Sequence, residues 1–364
     1  MLKILDRYLL TKFLTGLLGT VFSFTVIVFV VDFVERGWRI MERNNVSVGV
    51  MAQYYINYLP FYTILAFPVA MLVSTLFSMG SLAKNRELDV MKASGLSLYR
   101  IAAPLFVAAF IISVGIMFFA EFVLTTTERR KDEIKDYLID KRPPISKLTR
   151  SDIKVPSENG WIILGEVYNI GEQTARGVKL HRIVNNRIIE TYTAQAMTHS
   201  DSGWVLLHGN GQVFSFDPTA PPEHFTKFDT LWAPFLTQTP EMLAEIPVPP
   251  RQINFFKLQK RIKQEKELGE AVYKDQVELY LKITFPLANF ILVLIGAPLA
   301  ANPRRSGPGV GFGISIIISF IFFVLIRIGQ SFGNAGKLPP LLAASIGDIV
   351  FLTVGIIVNY KSRK

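Results

Sequence analysis

The chain alternates between long apolar stretches and polar segments in a regular order. Three apolar stretches come first, a mostly polar segment over residues 124–276 follows, and three further apolar stretches come last. Each stretch has the roughly 20 apolar residues that a helix needs to cross the hydrocarbon core of a bilayer. This predicts a membrane α-helical protein with six transmembrane helices in a 3+3 order around one insertion. The predicted spans are residues 13–34, 55–82, 101–123, 280–299, 311–332 and 341–360.

The polar middle segment predicts an all-β domain. Short runs of β-branched and aromatic residues alternate there with turn-forming residues, which is typical of a sandwich, a roll or an open barrel. The predicted strands are residues 161–167, 177–183, 187–194, 204–208, 212–216 and 225–231, with helices at 125–140 and 255–274 on either side. The predicted domains are therefore 1–123, which includes a polar loop at 83–100; 124–276, the β-domain with its flanking helices; and 277–364.

The net charge of +10 resides almost entirely in the membrane part of the chain. Residues 124–276 carry 21 Lys and Arg against 20 Asp and Glu, so the β-domain is nearly neutral. We therefore expect no nucleic-acid partner. The chain has no cysteine, which excludes a disulfide scaffold and thiol catalysis, and its four histidines show no metal-binding spacing.

The basic residues predict the orientation in the membrane. The N-terminus, the loops at 83–100 and 300–310, and the C-terminus share one face, which carries twelve Lys and Arg, whereas the short loops opposite carry four. The positive-inside rule places that first face, with both termini, in the cytoplasm. Three spans precede the insertion, so the β-domain is expected outside, in the periplasm of a bacterium with two membranes.

The loop at residues 83–100 is the most distinctive polar segment. Glu87 and Asp89 are nearly the only acids on an otherwise basic face. A short helix is predicted there. Its apolar side consists of Leu88, Met91 and residues 96–98, and Gly95 ends its first part. Such a helix suits docking into a groove of a soluble partner. A simple interfacial helix is the alternative.

The chain contains no recognisable site for ATP. It lacks a G-x-x-x-x-G-K-[ST] loop, because the segment 333–337 has the wrong spacing and lies on the predicted outer face. No catalytic constellation stands out either. We therefore expect a transport subunit without catalysis or a cofactor of its own, whose energy comes from another protein.

Three segments resemble one known family. RELDVMKASG at residues 86–95 resembles the cytoplasmic signature of the lipopolysaccharide-export ABC transporter permeases of the LptF/LptG, or YjgP/YjgQ, type. The stretch 281–305 is similar to the family's fourth span and its Pro-Arg-Arg loop, and 330–344 to its turn between spans five and six. The resemblance extends over the whole membrane part and its 3+3 order. The β-domain does not match residue by residue.

The resemblance implies a permease subunit of an ATP-driven lipopolysaccharide exporter in the bacterial inner membrane. The implied partners are lipopolysaccharide, a cytoplasmic ABC ATPase dimer that holds ATP and Mg²⁺, a second related permease in a hetero- or homodimer, and a periplasmic bridge component. The β-domain is expected to be a periplasmic β-jellyroll that passes the lipid to the bridge. Glu87 would contact the ATPase, and Leu88, Met91 and Gly95 would complete the coupling helix.

Basic residues at the predicted outer ends of the spans form a second candidate site. The positive-inside rule disfavours cations on this face, so their presence needs a reason. Guanidinium groups bind phosphate and carboxylate oxygens in bidentate fashion, and members of the resembled family use such residues to bind the lipid headgroup. The candidates are Arg36, Arg39, Arg43, Arg129, Arg130 and Lys282. The alternatives are local pairing with Glu35, Glu42, Glu128 and Asp132, and snorkelling for Lys282.

Two further charges lie at similar depth in the last two predicted spans. Unpaired charges are costly in hydrocarbon, so Arg327 and Asp348 are predicted to form an intramembrane ion pair. This pair would have a structural role.

Three other functions stay open from the sequence. The first is a permease for another lipidic cargo, such as a lipoprotein or a glycolipid. Lipoprotein-release and mechanotransmission permeases usually have their large domain after the first span, whereas here it follows the third. A membrane receptor or scaffold with a β sensor domain would have a cytoplasmic signalling domain, and this chain has only short cytoplasmic loops. A secondary transporter would have more polar residues near mid-membrane.

Overall fold

The computed structural model describes residues 4–141, 149–156, 159–184, 187–200, 203–214, 224–244, 248–267, 271–301 and 308–361. They belong to two compact units. The first unit comprises Met1–Asp140, Pro250–Gln259 and Tyr273–Lys364, and the second comprises Lys141–Pro249 and Lys260–Val272. Several parts of the sequence prediction lie outside the described part of the chain: Arg304 and Arg305 of the Pro-Arg-Arg loop, residues 215–216 of a predicted strand, and residues 268–270 of a predicted helix.

The helices and strands follow one another in a simple order. The α-helices are α1 (Ile4–Asp32), α2 (Trp38–Asn44), α3 (Val48–Lys84), α4 (Glu87–Ala93), α5 (Leu98–Phe119), α6 (Thr125–Glu133), α7 (Pro240–Ala244), α8 (Phe255–Glu267), α9 (Tyr273–Ala300), α10 (Pro308–Asn334) and α11 (Pro340–Lys361). The strands are β1 (Thr149–Pro156), β2 (Trp161–Asn169), β3 (Thr174–Val184), β4 (Arg187–Ser200), β5 (Gly203–Val213) and β6 (His224–Ala233). Three π-helical segments, Phe33–Gly37, Ala120–Leu124 and Ile134–Ile139, continue α1, α5 and α6.

Six described helical segments of the first unit are long and apolar enough to cross a membrane. They are Ile4–Asn44, Val48–Lys84, Leu98–Ile139, Tyr273–Ala300, Gly309–Asn334 and Pro340–Val358. Each contains one of the predicted spans within it or nearly so, and the prediction of a six-span helical protein is confirmed. α3 and α9 are the inner helices of this unit, whereas α1, α10 and α11 leave most of their apolar surface exposed. In soluble proteins such surfaces are buried, whereas exposed apolar helix faces are suited to contact with lipid.

Small residues bring the last two membrane helices close together. Gly329 and Gly333 of α10 form a G-x-x-x-G pattern, and both face Ala343 of α11. A Cβ atom on Gly333 would lie 2.5 Å from the Ala343 Cβ, and one on Gly329 would collide with the Ala343 carbonyl. Such patterns permit the backbone approach that stabilises helix pairs in lipid.

The second unit contains a six-stranded antiparallel sheet. Its strands lie in the sequential order β1 to β6, each paired with the next along the chain. Trp204 and Tyr168 are buried among the core residues of the sheet, and the Trp204 indole donates to the carbonyl of Gln238 at 2.6 Å. The prediction of an inserted all-β domain is therefore confirmed. Over the described residues the order is that of a meander, whereas a jellyroll interleaves two Greek keys.

The strand boundaries differ most from the sequence prediction in two places. β1 was not predicted, because its run of residues is polar and lacks aromatic side chains. β5 continues through the predicted turn at residues 209–211. Gly209 and Gly211 act there as strand residues without side chains, because Phe228 and Tyr192 of the neighbouring strands occupy the space of their Cβ atoms.

Candidate functional site

A short helix lies in the middle of the loop at 83–100. Arg86 adopts a left-handed backbone (φ 60°) after α3 and leads into α4, whose first residue is Glu87. α4 ends in a Schellman motif: Gly95 has φ 88°, and its N–H donates to the carbonyl of Lys92 at 2.9 Å. Gly95 therefore lies where a helix-terminating glycine is needed.

The apolar residues of this helix face their own unit. Leu88 is fully buried, and Met91 packs against the same core. These side chains hold α4 on the membrane helices. The sequence suggested that they dock into a groove of another protein, but they are not free to do so. The exposed residues of α4 are Asp89, Val90, Lys92 and Ala93.

The Glu87 carboxylate accepts hydrogen bonds from two other elements. The hydroxyl of Tyr8 in α1 donates to its Oε2 at 3.2 Å, and the side-chain amide of Asn85 donates to its Oε1 at 3.1 Å. Glu87 is only partly buried, so a partner can reach it. A carboxylate bound at both oxygens is held in one orientation and still has lone pairs for a cation.

The same end of α1 is joined to α5. Arg100 donates from both terminal nitrogens to the Asp6 carboxylate, at 3.0 and 3.2 Å. Asp6 is 6% exposed, so this bidentate pair is largely shielded from solvent on the carboxylate side. Asp6 and Arg100 are 94 residues apart in the chain, so no local sequence pattern predicted this pair.

Three arginines project from the opposite end of α1 and from α2. Arg36, Arg39 and Arg43 are all exposed. Arg36 lies 3.8 Å from the Asp32 carboxylate, and the Arg39 Nε donates to the backbone carbonyl of Glu35 at 2.6 Å. Each contact uses a small part of a guanidinium with five N–H donors, so donors remain for an anion. Arg43 forms no salt bridge with any residue in the described ranges.

The basic residues of α6 are divided between surface and interior. Arg129 and Arg130 are exposed, and Arg129 pairs with Glu133 at 3.2 Å across one helical turn. An exposed pair of this kind is worth less than about 1 kcal/mol and leaves the arginine available to a stronger anion. Lys131 instead points inward and lies 2.8 Å from Glu128.

Lys282 is engaged within the protein. Its ammonium lies 3.4 Å from an oxygen of Glu121, and the two side chains are 17% and 19% exposed. The other Glu121 oxygen accepts the backbone N–H of Phe255. Without Lys282 the Glu121 carboxylate would be left nearly buried without a counter-charge. We therefore assign Lys282 a structural role in place of the headgroup role predicted from the sequence.

Further polar contacts attach the residues just before α8 to the helices of the first unit. Arg251 donates to both carboxylate oxygens of Glu278, at 3.2 and 3.3 Å, and Gln252 donates to Asp132. Burial disfavours the charge on Arg251, but the Glu278 carboxylate outweighs it and raises the pKa of the guanidinium. Residues 250–255 are thus clamped onto α6 and α9.

The predicted ion pair in the last two spans does not form. Arg327 is exposed, and its guanidinium donates to the side chain of Gln330 at 2.9 Å. No salt bridge joins Arg327 to Asp348, although both lie in the described part of the chain. Gln330 follows Arg327 by three residues and is a neighbour on the same helix face, so it is reached without crossing to α11.

A cluster of tyrosines on α3 was missed by the sequence analysis. Tyr54, Tyr55, Tyr58 and Tyr62 contact one another with ring centroids 4.4–5.8 Å apart, and the Tyr55 hydroxyl donates to Asp32 at 3.1 Å. Tyr54, Tyr58 and Tyr62 are spaced four residues apart near the start of one predicted span, and this spacing could have predicted that they share one helix face. Tyrosines of this kind are typical of the membrane–water interface, where the ring meets lipid and the hydroxyl meets polar groups.

An apolar groove lies along α1 beside α3 and α10. Its volume is about 360 Å³, and Gly16, Gly19, Phe24, Ile27, Phe77 and Phe312 are among its lining residues. Thr20 and Ser23 also line it, but their hydroxyls donate to the backbone carbonyls of Gly16 and Gly19 at 2.6 and 2.8 Å. Their hydrogen-bonding capacity is largely used within α1, which leaves a surface suited to hydrocarbon.

These features define a class of protein. One membrane helix carries an apolar groove along its length and leads into exposed arginines, and a polar loop helix presents a fixed carboxylate. With six spans and an inserted β unit, the chain is a multi-pass membrane protein.

Comparison with known proteins gives the family. The chain belongs to the family of lipopolysaccharide export system permeases LptF/LptG, whose sequence model matches residues 7–361. It is similar to the lipopolysaccharide export system permease protein LptG of Escherichia coli strain K12, with 23% identity over 358 residues and 97% of each chain covered. The LptG protein of Haemophilus influenzae strain Rd is 22% identical over 364 residues, again with 97% of each chain covered. The resemblance found in the sequence is confirmed, and the chain is a multi-pass inner-membrane permease subunit of a lipopolysaccharide export system.

Proposed function

We propose that the chain lifts lipopolysaccharide out of the inner membrane as one of two permeases in an ATP-driven exporter. The observation that carries this proposal is the continuity of α1, which has the apolar groove along it and the exposed arginines at its end. An acyl chain fits the groove, and the phosphates of the headgroup meet Arg36, Arg39 and Arg43. Arg129 and Arg130 supply further exposed guanidinium groups.

The energy comes from a cytoplasmic ABC ATPase dimer, which holds ATP and Mg²⁺. It contacts α4, where the partly buried Glu87 offers a carboxylate to a basic group of the ATPase next to the exposed residues of the helix. Movement of α4 on ATP binding and hydrolysis narrows the cavity between this chain and a second related permease. The lipid is thereby expelled towards the β unit, which lies in the periplasm and passes the lipid to a bridge component.

Membership of a permease family favours this function over a receptor and over a secondary transporter. Lipopolysaccharide is favoured over a lipoprotein because the arginines are clustered and exposed, as phosphate groups require. The experiment below also shows whether the chain pairs with a second related permease or with another copy of itself.

The first experiment is native mass spectrometry of the gently solubilised complex from its own host. We expect two copies of an ATPase, a second permease and bound lipopolysaccharide. A lone chain that carries only phospholipid would contradict the proposal.

The Glu87 assignment is tested in the same preparation. Glu87→Ala should lower the amount of ATPase that co-purifies, because the variant removes a charge-assisted contact while the buried Leu88 still anchors α4. Glu172→Ala, in the exposed turn between β2 and β3, is the control. Normal co-purification with Glu87→Ala would remove Glu87 from the interface.

A further inference from the structure

The start of α1 contacts the coupling helix through a residue that belongs to neither candidate site. Tyr8 donates to Glu87 at 3.2 Å, across 79 residues of sequence. Lys12, one turn further along α1, lies with its ammonium 4.2 Å from the Tyr8 ring centroid. It also lies 3.4 Å from the Ser81 hydroxyl of α3. The tyrosine is therefore held between a cation and the Glu87 carboxylate.

α1 is joined to the chain on both sides of α4. Tyr8 binds Glu87 at the first residue of α4, and Asp6 binds Arg100 in the first turn of the next helix, α5. Between these two contacts the chain forms only α4 and a short turn. A displacement of α4 therefore acts on the start of α1 directly through Tyr8 and Glu87. It also acts indirectly, because the short turn connects α4 to α5, where Arg100 binds Asp6.

α1 is built to carry such a displacement along its length. It is a continuous α-helix of 29 residues without proline, about 43 Å long at 1.5 Å per residue. One face of its first half is tightly packed, with Leu9, Phe13 and Leu17 at most 4% exposed. The same helix lines the apolar groove and leads into the segment that carries Arg36. One rigid element thus joins the proposed ATPase contact to the proposed headgroup site.

We propose that Tyr8 is a positioning residue, which orients Glu87 and couples the movement of α4 to α1. This inference rests on the proposed function, because it takes Glu87 as the ATPase contact. Tyr8 itself need not touch the ATPase or the lipid. Its loss leaves the Glu87 contact with Asn85 but releases the hydrogen bond between α1 and α4, while Asp6 and Arg100 still join α1 to α5.

The test uses the full complex of this chain, its second permease and the ATPase from the same host. The complex is reconstituted in vesicles of inner-membrane phospholipid that contain the host's lipopolysaccharide. Tyr8→Phe removes only the hydroxyl. The matched control is Tyr360→Phe, because Tyr360 lies near the end of α11 and is 72% exposed. Three quantities are measured: ATPase bound per permease, ATP hydrolysis rate, and lipopolysaccharide released per ATP.

We expect Tyr8→Phe to retain the ATPase but to release about three- to tenfold less lipopolysaccharide per ATP, the effect of losing one ordinary, solvent-exposed hydrogen bond. Tyr360→Phe should match the wild-type chain. In a Glu87→Ala background, which removes the acceptor, Tyr8→Phe should cause little further loss, because the two residues act through one contact. A purely structural role of Tyr8 would instead lower the amount of assembled complex and leave the ratio unchanged.

Two results would overturn the inference. In the first, Tyr8→Phe releases as much lipopolysaccharide per ATP as the wild-type chain, although Glu87→Gln alone releases less. This result refutes the role of Tyr8 and leaves the proposed function standing. In the second, Glu87→Gln binds the full amount of ATPase and releases as much lipopolysaccharide per ATP as the wild-type chain. This result removes the Glu87 contact from the proposed function, and the Tyr8 inference is lost with it.

Discussion

At the scale of single residues, the charged groups of this chain divide into those that hold helices together and those that stay exposed. Lys131 and Lys282 point inward to Glu128 and Glu121, because an unpaired charge in a low-dielectric region is costly. Arg36, Arg39 and Arg130 keep their guanidinium groups exposed. All five cations belong to the same predicted outer face, so the sequence could not separate them. Their partners are set by side-chain direction.

The exposed arginines of α1 and α2 predict a specific loss of lipid. Arg36→Glu combined with Arg39→Glu should lower the lipopolysaccharide retained per complex about tenfold or more, since two phosphate-binding groups become repulsive. Bound lipid is measured by native mass spectrometry. Lys257→Glu combined with Lys260→Glu reverses the same charge at the same spacing on exposed positions of α8 and serves as the control. Equal lipid content in both double variants would assign the arginines to structure.

The Lys282–Glu121 pair predicts a loss of stability rather than of lipid. Lys282→Met alone should destabilise the chain by about 2–4 kcal/mol, because it strands the nearly buried Glu121 carboxylate. Adding Glu121→Gln should restore much of this loss. Thermal unfolding of the detergent-solubilised chain measures both. If Lys282→Met keeps its melting temperature but loses bound lipid, Lys282 returns to the headgroup site.

At the scale of elements, close approach decides which helices pair. Gly329 and Gly333 of α10 lie against Ala343 of α11, and Gly347 of α11 lies against Phe322. Helices in lipid gain little from hydrophobic burial, so backbone approach at small residues provides the packing energy. The sequence contains the G-x-x-x-G pattern, but only the structure shows that its partner is α11.

A larger residue at this contact should separate the two helices. Gly329→Leu should destabilise the chain by about 2 kcal/mol or more, because its side chain would collide with the Ala343 carbonyl. Gly313→Leu is the control on the same helix, since a Cβ there has no neighbour within 4 Å. Monodispersity on size-exclusion chromatography and the melting temperature are the measurements. Equal behaviour of the two variants would contradict the packing argument.

At the scale of the whole molecule, orientation follows from charge and is open to direct measurement. The chain has no native cysteine, so single cysteines can be introduced as unambiguous labels. Glu172→Cys lies in the exposed turn between β2 and β3, and Lys92→Cys lies on the exposed side of α4. In spheroplasts, a membrane-impermeant maleimide should label Glu172→Cys at once and Lys92→Cys only after permeabilisation. The opposite order would reverse the proposed topology.

The sequence by itself determined the six spans, the inserted β unit and the family, because these depend on composition over long segments and on contiguous motifs. It also predicted α4 and its terminating glycine, since helix ends are specified locally. Only the tertiary structure decided that Leu88 is buried, that Lys282 pairs with Glu121, and that Arg327 does not reach Asp348. It alone brought Tyr8 to Glu87. Such contacts join residues far apart in the chain, and their geometry depends on how the helices pack around one another.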